Sequence, residues 1–279
     1  MSDNVEYPIS AVVFDWAGTL IDFGSRAPMD TFVQVFREFG VNISIEDARE
    51  PMGMAKLDHI KALGKMAHVA NQWTQVHGTS FDDHAARRIY DRFLPINVQV
   101  VSDYGDLIGG AASTVSRLRQ DGVRIGTTTG YTREVMERVI ECARQQSLEV
   151  DSIVCAGDLW AGRPTPAMMW RSFIDLEVTD PASVIKVDDT PVGISEGLLA
   201  GTWTVGVVAS GNETGLSLDE WQALTPQAQQ QQLTRASRRL LEAGAHFVIP
   251  TVADLLDVVD IIATRLGRRT ISGCRLQMR

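Results

Sequence analysis

Short apolar runs recur along the chain at 11–15, 123–129, 152–156, 184–189, 202–208 and 246–250. Each has the length and composition of a strand buried on both faces. From the second run onward, stretches of helical period intervene, at 113–120, 132–146, 166–176, 192–200 and 252–266. The stretch at 132–146 places Val135, Met136, Val139, Ile140 and Ala143 on one face, with Thr132 as its N-cap. Strands alternating with helices predict an α/β fold with a parallel sheet covered on both faces.

The region 24–96 has a different pattern. Residues 28–39 are amphipathic through Phe32, Val35, Phe36 and Phe39, and Gly40 follows. Ser44 and Ser80 each precede an aspartate by three positions, Asp47 and Asp83, which predicts two helix capping boxes. Nothing there reads as a strand. A helical segment of roughly 70 residues inside the first crossover is far longer than an ordinary loop. It predicts a helical cap at 24–96 inserted into a core formed by 1–23 and 97–279. The glutamine-rich stretch at 227–232 reads equally as low complexity or as part of a surface helix carrying Leu233, Leu240 and Leu241.

The net charge of −9 argues against a nucleic-acid partner, because phosphate backbones require basic faces. An anionic substrate must therefore find its positive charge locally. Cys142, Cys155 and Cys274 are widely spaced and odd in number, which fits neither a disulfide framework nor a zinc site. The first residues, Met1 to Glu6, are acidic and lack the apolar stretch of a signal peptide, and no run is long enough to span a membrane. A cytoplasmic enzyme is the expectation.

Open parallel sheets bind ligands at the carboxyl ends of their strands. Four polar residues fall there: Asp15, Thr129, Asp188 and Asp189. Asp15, followed by Gly18-Thr19, fits a nucleophile that attacks phosphorus to form an aspartyl-phosphate. Thr129 is placed to hydrogen-bond a phosphoryl oxygen, with Thr127 and Thr128 as alternatives one or two places away. Asp189 with Asp188 fits a magnesium site beside Asp15, since hard oxygen ligands suit that ion. Arg163, in the loop Ala161-Gly162-Arg163-Pro164, offers a cation to balance the aspartates or a bidentate grip on a phosphoryl group.

Position 17 breaks the pattern. Phosphate-ester chemistry needs an acid two residues after the nucleophile to protonate the leaving oxygen, and here that place is Ala17. A carbon–phosphorus bond makes a different demand, because its leaving group is a carbanion that must be delocalised as it forms. An iminium made from lysine and an aldehyde is such an electron sink. Lys56 is the candidate lysine. It follows the turn Pro51-Met52-Gly53-Met54 and opens a helix, and apolar packing by Met52 together with the helix N-terminus would lower its pKa. His59 shares its helical face and could carry protons.

These motifs, in this order, resemble the haloacid dehalogenase superfamily. That resemblance implies a Rossmann-like parallel sheet core of the haloacid dehalogenase type with an inserted all-helical cap, and a backbone carbonyl at Ala17 that serves the metal. Two departures stand out: Arg163 occupies the usual lysine position, and Asp188-Asp189-Thr190-Pro191-Val192-Gly193 puts glycine where the last aspartate often sits. Within the superfamily, the Asp15–Thr19 string, Pro51-Met52-Gly53 with Lys56 and His59, and Thr129-Gly130-Tyr131 look like the phosphonatases. That likeness implies hydrolysis of phosphonoacetaldehyde, a small-molecule phosphonate, to acetaldehyde and phosphate. It further implies a Schiff base on Lys56, a Mg2+ cofactor, Ser25, Met52, Gly130 and Tyr131 about the substrate, and a homodimer with contacts through the cap. The alternative is a phosphatase or mutase of the same superfamily acting on a phosphate ester.

Overall fold

The computed structural model describes residues 8–276. The N-terminal Met1 to Glu6 and the side chain of Cys274 lie outside the described residues. In chain order the elements begin with β1 (Ala11–Phe14), α1 (Met29–Glu38), α2 (Ile45–Arg49), α3 (Lys56–Lys65), α4 (Ala67–His77) and α5 (Asp83–Val100). They continue with α6 (Ala111–Gln120), β2 (Arg124–Thr132), α7 (Arg133–Gln145), β3 (Ser152–Ala156), α8 (Ala167–Asp175), β4 (Val184–Asp188) and α9 (Pro191–Leu199). The chain then forms β5 (Trp203–Val207), α10 (Leu218–Ala223), α11 (Pro226–Glu242), β6 (Phe247–Ile249) and α12 (Leu255–Leu276).

Among the described residues the six strands are all parallel, in the order β3-β2-β1-β4-β5-β6. β1 lies between β2 and β4, so the strand carrying Asp15 is flanked by those carrying Thr129 and Asp188. Alternation along the strands sends Val12, Phe14, Ile125 and Val187 into one apolar cluster and Ala11, Val13 and Val184 into another, with Met169 and Phe173 of α8. Helices therefore cover both faces.

Between Met29 and Val100 every regular element is a helix. These helices hold their own apolar cluster, with Phe32, Phe36, Ile60, Leu63, Trp73, Ile89 and Phe93 buried. Burying each such side chain is worth about 1.5–3 kcal/mol, which lets the segment keep its shape as a unit. The capping box at Ser44 and Asp47 forms, with both reciprocal hydrogen bonds. The one expected at Ser80 does not. Asp82, nearer the helix, accepts from Ala85 N and caps α5. Thr132 precedes α7 without a side-chain cap, because β2 runs on through a bulge to that residue. The glutamine-rich stretch lies in α11, whose Ala236 and Leu240 are buried.

Candidate active site

The ends of β1, β2 and β4 meet the turn before α3 around a small cavity of about 20 Å³, room for roughly one water. Asp15, Ala17, Ser25, Met52, Lys56, Thr129, Gly130, Tyr131, Arg163 and Asp189 line it, with Gly53 and Thr190. His59 and Asp188 do not line it.

The helical segment reaches the sheet through backbone approaches that leave no room for side chains. Gly53 has φ +91°, and a Cβ there would lie 2.5 Å from Thr190 Oγ1. A Cβ on Gly130 would lie 2.5 Å from the carbonyl oxygen of Met54. Arg49, at the end of α2, fastens the same junction. It donates to the carbonyl oxygens of Gly24 and Gly215 at 2.9 Å each, and to Asn212 Oδ1 at 3.0 Å. Asn212 N in turn donates to Asp189 Oδ2 at 2.7 Å.

Lys56 is buried at the start of α3. Its Nζ lies 3.7 Å from Met52 Sδ, 5.0 Å from the Tyr131 ring centre and 5.8 Å from that of Phe32. Burial among these groups lowers the amine to about 8; Asp15 opposes the shift and Arg163 adds to it. His59 stacks on Phe32 at 4.2 Å and its Nε2 lies 2.8 Å from the carbonyl oxygen of Ala48. A carbonyl only accepts, so Nε2 carries the hydrogen and Nδ1 is a bare acceptor. Burial and the neighbouring Lys56 push its pKa well below the usual histidine range, so the ring is neutral.

Asp15 extends β1, its N–H donating to the carbonyl oxygen of Val187 at 2.9 Å. Arg163 Nη1 lies 2.9 Å from Asp15 Oδ1. Burial still pushes Asp15 up to about 6, with Asp188 adding to the rise and Arg163 opposing it. Thr129 lines the cavity and accepts from Tyr131 N at 3.1 Å. The alternatives are committed elsewhere: Thr127 donates to Ser152 O, and Thr128 donates to Glu196. Tyr131 is buried, and its hydroxyl has no partner. Ser25 sits at φ +51° in a loop whose N–H groups, at Arg26 and Ala27, both donate to Asp22 at 2.9 Å.

The two neighbouring aspartates differ. Asp188 Oδ1 accepts from Thr190 N and Oγ1 at 3.0 and 2.7 Å, and Oδ2 lies 3.3 Å from Arg163 Nη2 and 3.1 Å from Lys186 Nζ. Those cations hold Asp188 below the usual carboxylate range despite its burial. Asp189 Oδ2 accepts from Asn212 N, while its Oδ1 is buried without a partner. Burial, then Asp15 and Asp188, drive Asp189 well above that range.

Oxygens of Asp15, Asp188 and Asp189 lie within 4.8 Å of one another, a group that could hold a metal ion. The donor chemistry fits. All the candidate ligands are hard oxygens, and Asp189, one of the three, has a buried Oδ1 without a partner. With Lys56 neutral, the four buried carboxylates Asp15, Asp188, Asp189 and Glu196 meet the two buried cations Arg163 and Lys186, which leaves two negative charges for a divalent ion to balance.

Lys186 and Glu196 carry no role in the motif reading. A lysine inside the apolar run Val184-Ile185-Lys186-Val187 was the available signal, since a charge in a doubly buried strand requires partners.

The profile of the haloacid dehalogenase-like hydrolases matches residues 9–201. The chain belongs to this family of hydrolases. Curated relatives are more specific than the profile. The phosphonoacetaldehyde hydrolase of Paraburkholderia xenovorans is 49% identical over 93% of this chain and 97% of its own. The crystal structure of a phosphonoacetaldehyde hydrolase-like protein from Oleispira antarctica is 41% identical, with TM-score 0.92 over 94% of this chain and 95% of that one. The likeness to phosphonatases thus holds along nearly the whole chain. A β-phosphoglucomutase from Clostridium difficile, 18% identical with TM-score 0.60 over 83% of this chain and 100% of its own, shares the fold alone. Among the described residues no helix is long and apolar enough to cross a membrane.

Proposed function

We propose that this chain hydrolyses the carbon–phosphorus bond of phosphonoacetaldehyde, giving acetaldehyde and phosphate. The observation that carries the reading is one cavity containing a buried amine lowered to about 8, a carboxylate nucleophile and Ala17 where an ester phosphatase needs an acid. The named relatives support it.

Lys56 Nζ, neutral, adds to the aldehyde carbon, and loss of water gives an iminium. Asp15 Oδ1 is engaged by Arg163, so Oδ2 attacks phosphorus. The phosphorus–carbon pair moves into the new carbon–carbon double bond as the iminium accepts electrons at nitrogen. The enamine is protonated on carbon, and water releases acetaldehyde and restores Lys56. Water then attacks the aspartyl-phosphate and frees phosphate. Thr129 holds a phosphoryl oxygen, and Ser25, Met52, Gly130 and Tyr131 enclose the substrate. His59, neutral with a bare Nδ1, serves as a proton acceptor near the amine. Asp15, Asp189 and the Ala17 carbonyl would hold Mg2+, which supplies charge neutralisation at the phosphoryl group. Asp188 supports them through Arg163.

The segment 24–96 acts as a cap over the core of 1–23 and 97–279, opening to admit a substrate larger than the cavity. A cytoplasmic homodimer is part of the reading. The test is product analysis: phosphonoacetaldehyde should yield acetaldehyde and phosphate one to one. Release of phosphate from esters but not from the phosphonate would instead favour the phosphatase alternative.

A further inference from the structure

Lys186 stands in the middle of β4, fully buried. Taking an ammonium group out of water costs several kcal/mol unless partners replace the solvent. Here its Nζ donates to Thr128 Oγ1 at 2.7 Å and lies 3.1 Å from Asp188 Oδ2 and 3.3 Å from Glu196 Oε2. Glu196, on α9, is equally buried. Its Oε2 accepts from Thr128 Oγ1 at 2.8 Å and lies 2.9 Å from Arg163 Nε. Gly197 permits this arrangement. A Cβ there would lie 2.7 Å from Lys186 Cβ, so α9 rests on the stem of Lys186 and delivers the neighbouring carboxylate to Arg163.

Neither group lines the cavity, and a matched apolar pair in their place would be about as stable. Their effect falls on Arg163. Glu196 forms an ion pair at Nε without a hydrogen bond; the carbonyl oxygen and hydroxyl of Thr128 accept from Nη2, which also lies beside Asp188; Asp15 Oδ1 pairs with Nη1. Hydrogen bonds at Nη2, with a carboxylate paired on either side at Nε and Nη1, set the orientation of the planar fork. Thr128 Oγ1 is itself fixed, accepting from Lys186 and Arg163 while donating to Glu196.

We propose that Lys186 and Glu196 are positioning residues for the step at phosphorus. Glu196 orients Arg163, Lys186 neutralises the crowded carboxylates and locks Thr128, and together they pin one oxygen of Asp15 so that the other faces phosphorus. The inference rests on the phosphonatase reading and extends it to two residues that never touch substrate.

The decisive variant is the double replacement Lys186→Met with Glu196→Leu, which removes both charges at similar volume. Glu196→Gln, which removes one, is its companion. Each is assayed for kcat and KM, and for the adduct trapped on Lys56 by borohydride with phosphonoacetaldehyde. Positioning predicts a kcat lower by about tenfold or more with KM within about threefold. It also predicts a trapped adduct that shifts from ethyl-lysine toward phosphonoethyl-lysine, because the imine forms while carbon–phosphorus cleavage lags. Either variant keeping kcat within about twofold of the parent would overturn the inference. So would loss of trapping together with kcat, which marks a merely structural role. Absence of any trapped adduct in the parent protein would overturn the phosphonatase reading itself.

Discussion

A Cβ placed on Gly193 would fall within the carboxylate of Asp188. The glycine that departs from the common motif and the aspartate that doubles it are therefore one feature, in which a single carboxylate occupies the space and position 193 must stay bare. Gly193→Ala should push Asp188 away from Arg163 and Lys186, destabilising the protein by about 1–3 kcal/mol. With Asp188→Gly already in place, the added methyl finds room. A double-mutant cycle read by thermal melting should then be non-additive, with Gly193→Ala nearly silent in that background.

In the proposed reaction the neutral Lys56 amine is the reacting form. Its folded pKa is about 8, lowered first by burial and then by Arg163, against the opposing pull of Asp15, Asp22 and Asp189. His59 is neutral and does not compete for charge. As pH falls below about 8 the amine gains a proton, so kcat/KM should drop, approaching tenfold per pH unit. A profile flat from pH 6 to 9 would contradict this.

Arg49 joins the helical segment to the core through carbonyls on two loops, one of them tied to Asp189 by Asn212. Arg49→Ala should loosen the closed arrangement and admit water to Lys56. The expected result is kcat/KM lower by about 10–100-fold, with the pH inflection moving up from about 8 toward the ordinary lysine value of 10.5. Wild-type kinetics in the variant would show that closure does not depend on this contact.

Without a cation, Asp15 and Asp189 repel. Asp15 has a folded pKa of about 6 against an ordinary 3.8. The fold thus binds protons that the unfolded chain has released, and stability falls as pH rises through that window. Asp22, also about 6, acts in the same direction but away from the metal group. Buried neutral His59 opposes this between pH 4 and 6, but the raised aspartates Asp15, Asp22 and Asp189 outnumber it, so in chelator Tm should decline from pH 4 to 6, and Mg2+ should raise Tm at pH 7. Asp189→Asn should relieve the repulsion, raising Tm in chelator and abolishing the response to Mg2+.

The six strands were legible because a doubly covered parallel sheet demands unbroken apolar runs, and Asp15, Asp188 and Asp189 were legible because they end such runs. Lys56 was legible from what Ala17 lacks. The connections between them were not. Glu196 lies on α9, 68 residues along the chain from Thr128, and the bare backbone of Gly197 lets that helix come close to the sheet. Arg49 reads in sequence as one more surface cation; its acceptors are backbone carbonyls, which carry no residue-type signature. Asp82 displaced Ser80 as the cap of α5 because both fit the spacing rule loosely, and the aspartate stands nearer the first free N–H.

The proposed reaction turns on an imine at Lys56. Borohydride added during turnover of phosphonoacetaldehyde, followed by peptide mass analysis, tests it directly. The expected result is irreversible loss of activity and a reduced two-carbon adduct on Lys56, the adduct absent when Lys56 is replaced by arginine. Continued phosphate release with an unmodified Lys56 peptide would contradict it.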